Sequence, residues 1–221
     1  MLLLNPYRFS VGGVPVFPAM SGSPTSAVGQ ATSIVLSLPT NAAGDLLVVW
    51  YTKRGTTLTI DTPAGWTKYG NQIYGQSEGA WLCKVSTGGE ASVTLTSAAS
   101  SHKAAFGGVV SSGTFAGVGQ IEAATTGSAT ASTNANPPSL SPTWGSYKTL
   151  WLAGCIVGDG TTLVSGFPFA SWQIASRSNT FGAGANGAIC AEQLEAASND
   201  PAAYTSISAT WTASTLAIKG S

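Results

Sequence analysis

Charged side chains are scarce in this chain of 221 residues: they make up 8% of it, and nine Lys or Arg residues balance nine Asp or Glu residues. A typical soluble domain carries about 25% charged residues. Nucleic-acid binding requires a basic surface, and no basic cluster here exceeds Lys53-Arg54, so no nucleic-acid partner is expected. A net charge near zero favours association, which indicates an assembly component that forms homo-oligomers.

Cysteine, histidine and long apolar runs are also rare. The three cysteines, Cys83, Cys155 and Cys190, are too far apart for a disulfide framework and are predicted to be buried free thiols. No zinc or calcium ligand spacing occurs, so no metal and no cofactor are expected. Neither a signal-peptide pattern nor an apolar run of about 18 residues is present, so we expect folding in a cytoplasm without membrane insertion.

Short alternating or apolar segments separated by Gly and Pro turns fill most of the chain. Leu46 to Thr52 is a continuous apolar run, and a Pro-to-Trp corner follows at 63–66. Because helical periodicity is almost absent, the pattern predicts an all-β fold, a jelly-roll-like β-sandwich. The segment 188–197 has high helix propensity, but it matches a strand of the repeat described next, so we predict a strand at 187–194.

An internal repeat relates the two halves of the chain. Gly160 follows Gly55 by 105 positions, Trp172 follows Trp66 by 106, and Cys190 follows Cys83 by 107. This drift predicts duplicated units at about 31–111 and 144–219, which together form one sandwich; two tandem domains are the alternative. The connector at 112–143 is rich in small polar residues and is either a flexible linker or a strand along the sandwich edge.

Residues 1–25 are predicted to form an extended arm in front of the sandwich domain at 26–221. Four prolines exclude regular helix or central strand in this segment, yet its composition is too apolar for a solvated tail. We therefore expect its apolar side chains to dock on a neighbouring subunit or a larger particle; packing on its own domain is the alternative. These assembly residues are Leu2, Leu3, Leu4, Tyr7, Phe9, Val14, Val16 and Phe17.

Motifs for catalysis are weak, so an enzyme is not expected. The sequence at 75–79 matches G-x-S-x-G, but it lies between two predicted strands, whereas the hydrolase motif joins a strand to a helix. His102 is the single histidine. A G-x-G-x-x-G match at 182–187 lacks the strand and helix of a dinucleotide site. The nine carboxylates fall mostly in turns, which does not favour the carboxylate pair of a glycosidase.

Aromatic residues near turns offer a different class of function. Exposed aromatic rings can stack on sugars, so a carbohydrate-binding face is a second hypothesis; ordinary core edge is the alternative. The aromatics proposed to face a glycan are Trp144, Phe167, Phe169 and Tyr204.

Several segments resemble proteins of tailed bacteriophages. The start Leu-Leu-Leu-Asn-Pro-Tyr-Arg-Phe at 2–9 is similar to the beginning of many virion proteins that carry different β domains behind it. The segments at 44–49, 62–67, 80–85 and 115–118 resemble a broad group of β-sandwich virion proteins. This resemblance implies a virion structural protein, of the tail-fibre or adsorption type or of the capsid-decoration type. It also implies other virion proteins and a host surface glycan as partners, assembly in the host cytoplasm, and no catalytic residues.

Overall fold

A computed structural model describes residues 13–55, 59–158, 162–178 and 184–221. In these ranges the chain is almost entirely β-strand, as predicted, with one 3-10 helix at Val118–Gln120. The strands are β1 Met20–Ser37, β2 Leu46–Arg54, β3 Thr67–Tyr74, β4 Ser77–Val85, β5 Ser92–Val110, β6 Ile121–Ala135, β7 Tyr147–Val157, β8 Ser171–Ser178, β9 Ala185–Ala196 and β10 Tyr204–Lys219.

The ten strands form two antiparallel sheets with the same strand order. The first sheet runs β1-β5-β2-β4-β3, and the second runs β6-β10-β7-β9-β8. We call strands β1–β5 unit 1 and strands β6–β10 unit 2. Each strand of unit 1 has its counterpart five strands later, so the duplicated organisation predicted from the sequence is confirmed.

The register of strands β2, β4 and β5 and of their counterparts β7, β9 and β10 gives a constant offset between the units. Val48 pairs with Cys83 in unit 1, and adding 106 to both numbers gives Gly154 and Ile189, which pair in unit 2. Val48 also pairs with Gly108, and the same step gives the observed pair of Gly154 with Ser214. The predicted drift from 105 to 107 is therefore wrong for strands β2, β4 and β5, where the step is 106 throughout.

Matching Cys83 to Cys190 misplaces the repeat by one residue. Neighbouring side chains of a strand point to opposite faces, so this error reverses the face. Cys83 lies between the two sheets, whereas Cys190 lies on the outer face of the second sheet. All three cysteines are buried and free, as predicted.

The segment 187–194 and the connector at 112–143 both contain strands. The segment 187–194 belongs to β9, so the strand prediction is confirmed against the helix alternative. The connector at 112–143 contains β6, which forms the edge of the second sheet. This is the edge-strand alternative, and it means that unit 2 begins at Ile121 because β6 is the counterpart of β1.

Three apolar cores follow from the alternation of side chains along the strands. Leu46, Val48 and Trp50 point into the inter-sheet core, which both units share. The residues between them on β2 point to the outer core of unit 1. Unit 2 has an outer core of its own around Trp151 and Tyr204. The shared core makes the two units one sandwich.

The long strands bend back over the outer face of their own sheet. In the β1–β5 pair the register shifts between Ala31 and Ser33, and the Thr25 hydroxyl donates to the Ser37 carbonyl at 2.6 Å. The β6–β10 pair shifts register between Thr205 and Ala209. Each bend covers one outer core, which gives the rolled, jelly-roll-like shape.

Aromatic rings of unit 1 fit against glycines of unit 2 in the inter-sheet core. A Cβ atom on Gly154 would lie 2.9 Å from Trp50 Cδ2, and one on Gly187 would lie 2.7 Å from Phe106 Cε2. The Trp50 indole donates to the Cys155 carbonyl at 3.1 Å. The glycines therefore bring the second sheet close enough for the rings to fill the space between the sheets.

The two Pro-to-Trp corners are not equivalent, although their spacing matches the repeat. Trp66 packs against the outer core of unit 1. Trp172 has a positive φ of 52°, rare for a large residue, and packs towards the inter-sheet core, with its indole donating to the Gly22 carbonyl at 3.1 Å. The second corner thus connects the units, while the first closes its own unit.

The sandwich has two distinct ends. At the arm end, where β2 and β7 begin, the Val16 amide donates to the Ser221 carbonyl at 3.0 Å, and Gln193 donates to the Pro18 carbonyl at 2.7 Å. At the distal end, β2 finishes at Arg54 and β7 at Val157. β1 starts at Met20, so residues 20–25 of the predicted arm are strand.

Candidate binding site

A cleft of about 420 Å³ opens at the distal end, between the two units. Unit 1 contributes the end of β2 and the β3–β4 turn. Unit 2 contributes the middle of β6, the residue after β7, and the bend of β10. The lining residues are Arg54, Gly75, Gln76, Ala129, Gly158, Ser208, Ala209 and Thr210.

Two glycines allow the walls of this cleft to approach each other. Gly75 has a positive φ of 57°, which suits glycine in a tight turn, and a Cβ there would lie 3.3 Å from Ala129 Cα. A Cβ on Gly158 would lie 3.0 Å from Arg54 Nε and 2.9 Å from Thr210 Oγ1. The floor of the cleft therefore consists mainly of backbone and polar side-chain atoms.

Arg54 is the charged side chain among the described residues of the cleft lining. It lies at the last position of β2, paired with Ser77 on one side and His102 on the other. Around it the described lining residues offer the Gln76 amide and the hydroxyls of Ser208 and Thr210. A guanidinium has five N–H donors, which suit oxygen anions. The described part of the lining therefore offers mainly hydrogen-bonding groups.

A row of buried charges lies behind the cleft, on the outer face of the first sheet. Lys53 pairs with Glu78 on β4 and with Lys103 on β5, and all three are at most 1% exposed. Burial lowers the pKa of both lysines, and that of Lys103 falls to about 8, with the positive charge of Lys53 as the second cause. Burial likewise raises the pKa of Glu78, opposed by the Ile60 amide.

Lys103 has a structural task at the bend of β1 and β5. Its ammonium donates to the Ala31 carbonyl, and to the Ser101 hydroxyl at 3.0 Å. These acceptors lie where the register shift interrupts the β1–β5 ladder. Because buried carbonyl groups need a donor, Lys103 replaces the hydrogen bonds that the bend removes.

The G-x-S-x-G match lies in the β3–β4 hairpin. Ser77 is fully buried, and its hydroxyl lies 3.4 Å from the Thr210 carbonyl. Strand β2 separates Ser77 from His102, because each of them pairs with Arg54 from the opposite side. The histidine is therefore not placed to take a proton from this serine. At the second motif, the described residues lead into strand β9 and not into a helix.

The aromatics predicted to face a glycan converge on the outer core of unit 2. Phe169 is 4% exposed and Tyr204 is fully buried, with its hydroxyl donating to the Ala153 carbonyl at 2.8 Å. Phe167 packs edge-on against Tyr204, and the half-buried Trp144 donates to Thr149 at 3.2 Å. The prediction is corrected for Phe169 and Tyr204, since packing against their own sheet removes their ring faces from solvent.

The predicted assembly arm is only partly within the described residues. Leu2, Leu3, Leu4, Tyr7 and Phe9 lie outside them. Val14 is 81% exposed and Val16 is 41% exposed at the arm end. Phe17 is half-buried, with its ring 5.5 Å from the Lys148 ammonium.

Sequence reasoning did not identify the residues of the cleft. A basic pair followed by Gly55 is typical of a turn, but both Lys53 and Arg54 belong to β2. The adjacent cations were the available signal, since they stand out in a chain with few charges. Lys53 and Arg54 point to opposite faces of β2, so Lys53 is buried and Arg54 lies beside Thr210. Which face each side chain takes depends on the strand register and on the position of the second sheet.

Searches for other kinds of site and for relatives gave no match. In the described ranges, no group of three or more His, Cys, Asp or Glu side chains is placed to hold a metal ion. No helix in the described part of the chain has the length and apolar character to cross a membrane. Comparison with protein-family models, curated proteins and solved structures finds no match.

Proposed function

We propose that this chain is a non-enzymatic structural protein of a phage virion, a tail-fibre or adsorption component anchored by its N-terminal arm. The observation that supports this function most is that the arm and the cleft lie at opposite ends of the molecule. The chain enters at the arm end, with Val14 and Val16 exposed there, and the cleft opens at the distal end. A protein anchored by its first residues would therefore present the cleft outward.

The scarcity of charge and the motif resemblance support the same proposal. A surface with few charges suits a subunit covered by neighbours. The segment at 2–9 resembles the start of virion proteins, and its apolar residues continue directly into the exposed Val14 and Val16.

Particle incorporation tests the anchor. Phage that encode the chain without residues 2–12 should assemble particles that lack it, while Arg54→Gln, at the opposite end, should be incorporated normally. The measurement is immunoblotting of purified particles. Normal incorporation of the truncated chain would refute the anchor.

The position of the protein on the particle decides between tail and head. Immunogold labelling of intact particles should mark the tail. Labelling distributed over the head would replace the proposal with capsid decoration. Absence from particles, with retained polysaccharide binding, would favour a carbohydrate-binding module. Turnover of a substrate that is lost in Ser77→Ala would show an enzyme.

A further inference from the structure

A second concave surface, of about 330 Å³, lies on unit 1 between the loop that follows β1 and the loop that follows β4. Segments 38–41 and 89–91 form its two walls. Backbone hydrogen bonds join these walls: the Leu38 amide donates to the Ala91 carbonyl at 2.9 Å, and the Gly89 amide donates to the Asn41 carbonyl at 3.1 Å. We call this surface the arm-end groove.

The groove lies beside the place where the arm joins the sandwich. The loop that forms its first wall continues to Asp45, whose carboxylate accepts the Ser112 amide at 2.8 Å. The neighbouring Ser111 amide donates to the Ala19 carbonyl, also at 2.8 Å. The groove and the exposed Val14 therefore belong to the same end of the molecule.

The walls of the groove suit an apolar ligand with one positive charge. The Asn41 side chain is saturated within the walls, because its amide donates to the carbonyls of Pro39 and Glu90 at 2.9 and 2.8 Å, and its oxygen accepts the Glu90 amide at 3.1 Å. Leu38, Pro39 and Ala91 supply apolar surface. Glu90 is the charged residue of the described lining.

The segment at 2–9 has the complementary composition. It holds three leucines, a tyrosine and a phenylalanine, and Arg8 is its single charged residue. Glu90 already forms an ion pair with Lys84 at 2.8 Å, but its side chain is 17% exposed. A carboxylate has about four acceptor positions, so Glu90 can also accept hydrogen bonds from an arginine.

The course of the chain favours the groove of another molecule. Residues 13–16 are all exposed, and Val14 is 81% exposed. The chain thus leaves the surface of its own sandwich on the way to segment 2–9. A net charge of zero also favours association between copies.

We propose that residues 2–9 of one copy bind in the arm-end groove of a second copy, with Arg8 beside Glu90. The two contacting surfaces differ, so the contact is heterologous and repeats as a closed ring or as an open fibre. This inference rests on the proposed function and deepens it, because it names a second copy as the partner of the anchoring arm. The joined copies then attach to the particle together.

Light scattering during size-exclusion chromatography of the purified full chain, over a range of concentrations, tests this proposal. We expect assemblies larger than a monomer. Ala91→Arg places a bulky cation in the groove opposite Arg8 and should weaken association about tenfold or more. Replacing Leu2, Leu3 and Leu4 together by serine should have an equal effect, because it removes the apolar contact. Ala202→Arg, the same change at an exposed position of unit 2, is the matched control and should assemble as the wild type does.

Mixing the two defective chains shows which surfaces meet. The Ala91→Arg chain keeps an intact arm, and the triple serine chain keeps an intact groove. Each should be mainly monomeric alone, while an equimolar mixture should form a one-to-one complex. Formation of this complex also shows that neither chain lost association through misfolding.

Three results would overturn the proposal. A wild-type chain that is monomeric at every concentration would mean that the arm does not bind a second copy. Ala91→Arg with wild-type assembly would place the contact on another surface, and a mixture without a complex would separate the arm from the groove. Because these measurements use the purified chain, a monomeric chain that still enters particles through its arm would refute this inference and leave the proposed function intact.

Discussion

Units 1 and 2 share their strand order and the register of strands β2, β4 and β5 with β7, β9 and β10, yet their side chains between the sheets differ in size. Unit 1 places Trp50 and Phe106 there, and an offset of 106 puts Ile156 and Thr212 at the matching positions of unit 2. Two identical units would bring large rings against large rings. The structure pairs large groups with glycine instead, so duplication of a sheet required divergence of its inner face.

The distal ends of the two units differ in charge. Glu78 and Lys103 of unit 1 correspond to Gly184 and Ala209 of unit 2. At the bend of unit 1 a buried ammonium binds the free carbonyl, whereas at the bend of unit 2 the Ser206 hydroxyl donates to the Thr133 carbonyl at 3.0 Å. A side-chain donor thus binds a backbone carbonyl at both bends, an ammonium in unit 1 and a hydroxyl in unit 2. Of these two donors, only the ammonium is expected to make the free energy of unfolding depend on pH.

Removing a fully buried tryptophan between the sheets should have the largest effect. Trp50→Ala deletes a fully buried indole and its hydrogen bond to Cys155. We expect a loss of about 4 kcal/mol in the free energy of unfolding, typical of a large aromatic residue replaced by alanine. Urea unfolding followed by tryptophan fluorescence or circular dichroism measures it.

A double-mutant cycle tests whether ring and glycine are complementary. Gly154→Ala alone should destabilise the protein, because its Cβ would lie 2.9 Å from Trp50. In the Trp50→Ala background the same change should be nearly neutral, since the space is then available. Equal costs in both backgrounds would contradict the proposed fit.

Lys103→Ala should have the next largest effect. It removes the donor for Ala31 and Ser101 at the bend and leaves buried acceptors without a partner. We expect a loss of about 3 kcal/mol, as for other hydrogen bonds to buried charged groups. Lys84→Ala, which removes the surface ion pair with Glu90, is the control and should cost less than about 1 kcal/mol. A cost for Lys103→Ala as small as the control's would refute its structural role.

Sequence periodicity was sufficient for the strands and the duplication, because both depend on local alternation and spacing. Leu46 to Thr52 and the strand at β9 could be recognised in this way. The bends could not, since the small and polar residues at 97–103 are typical of a break between strands, whereas β5 is continuous there. The cleft could not be predicted either, because Arg54 and Thr210 meet only through the packing of one sheet on the other.

The bend of unit 1, where the Lys103 ammonium binds the Ala31 carbonyl, should also make the free energy of unfolding depend on pH. The pKa of Lys103 is about 8 in the folded chain, against 10.5 for an ordinary lysine. Between these values the unfolded chain binds more protons, so the free energy of unfolding rises with pH in this window. Below about pH 8 both states are protonated, and the cost of the buried charge is fully present.

Comparison with Lys103→Met isolates this contribution from other titrating groups. We expect the stability of the wild type, relative to this variant, to increase from pH 8 to pH 10. The change is smaller than the loss of the side chain itself, because neutral lysine still donates hydrogen bonds. A difference that stays constant across this range would show that Lys103 keeps its ordinary pKa.

The smallest effect is expected at the bend of unit 2. Ser206→Ala removes an exposed hydrogen bond to Thr133. Water can replace the lost donor there, so we expect a cost of about 0.5 kcal/mol, independent of pH. Chemical unfolding at pH 7 and pH 10 measures both points. A cost of Ser206→Ala equal to that of Lys103→Ala would contradict this expectation. The hydroxyl of unit 2 would then contribute as much stability as the ammonium of unit 1, and the two bends would differ only in the chemistry of the donor.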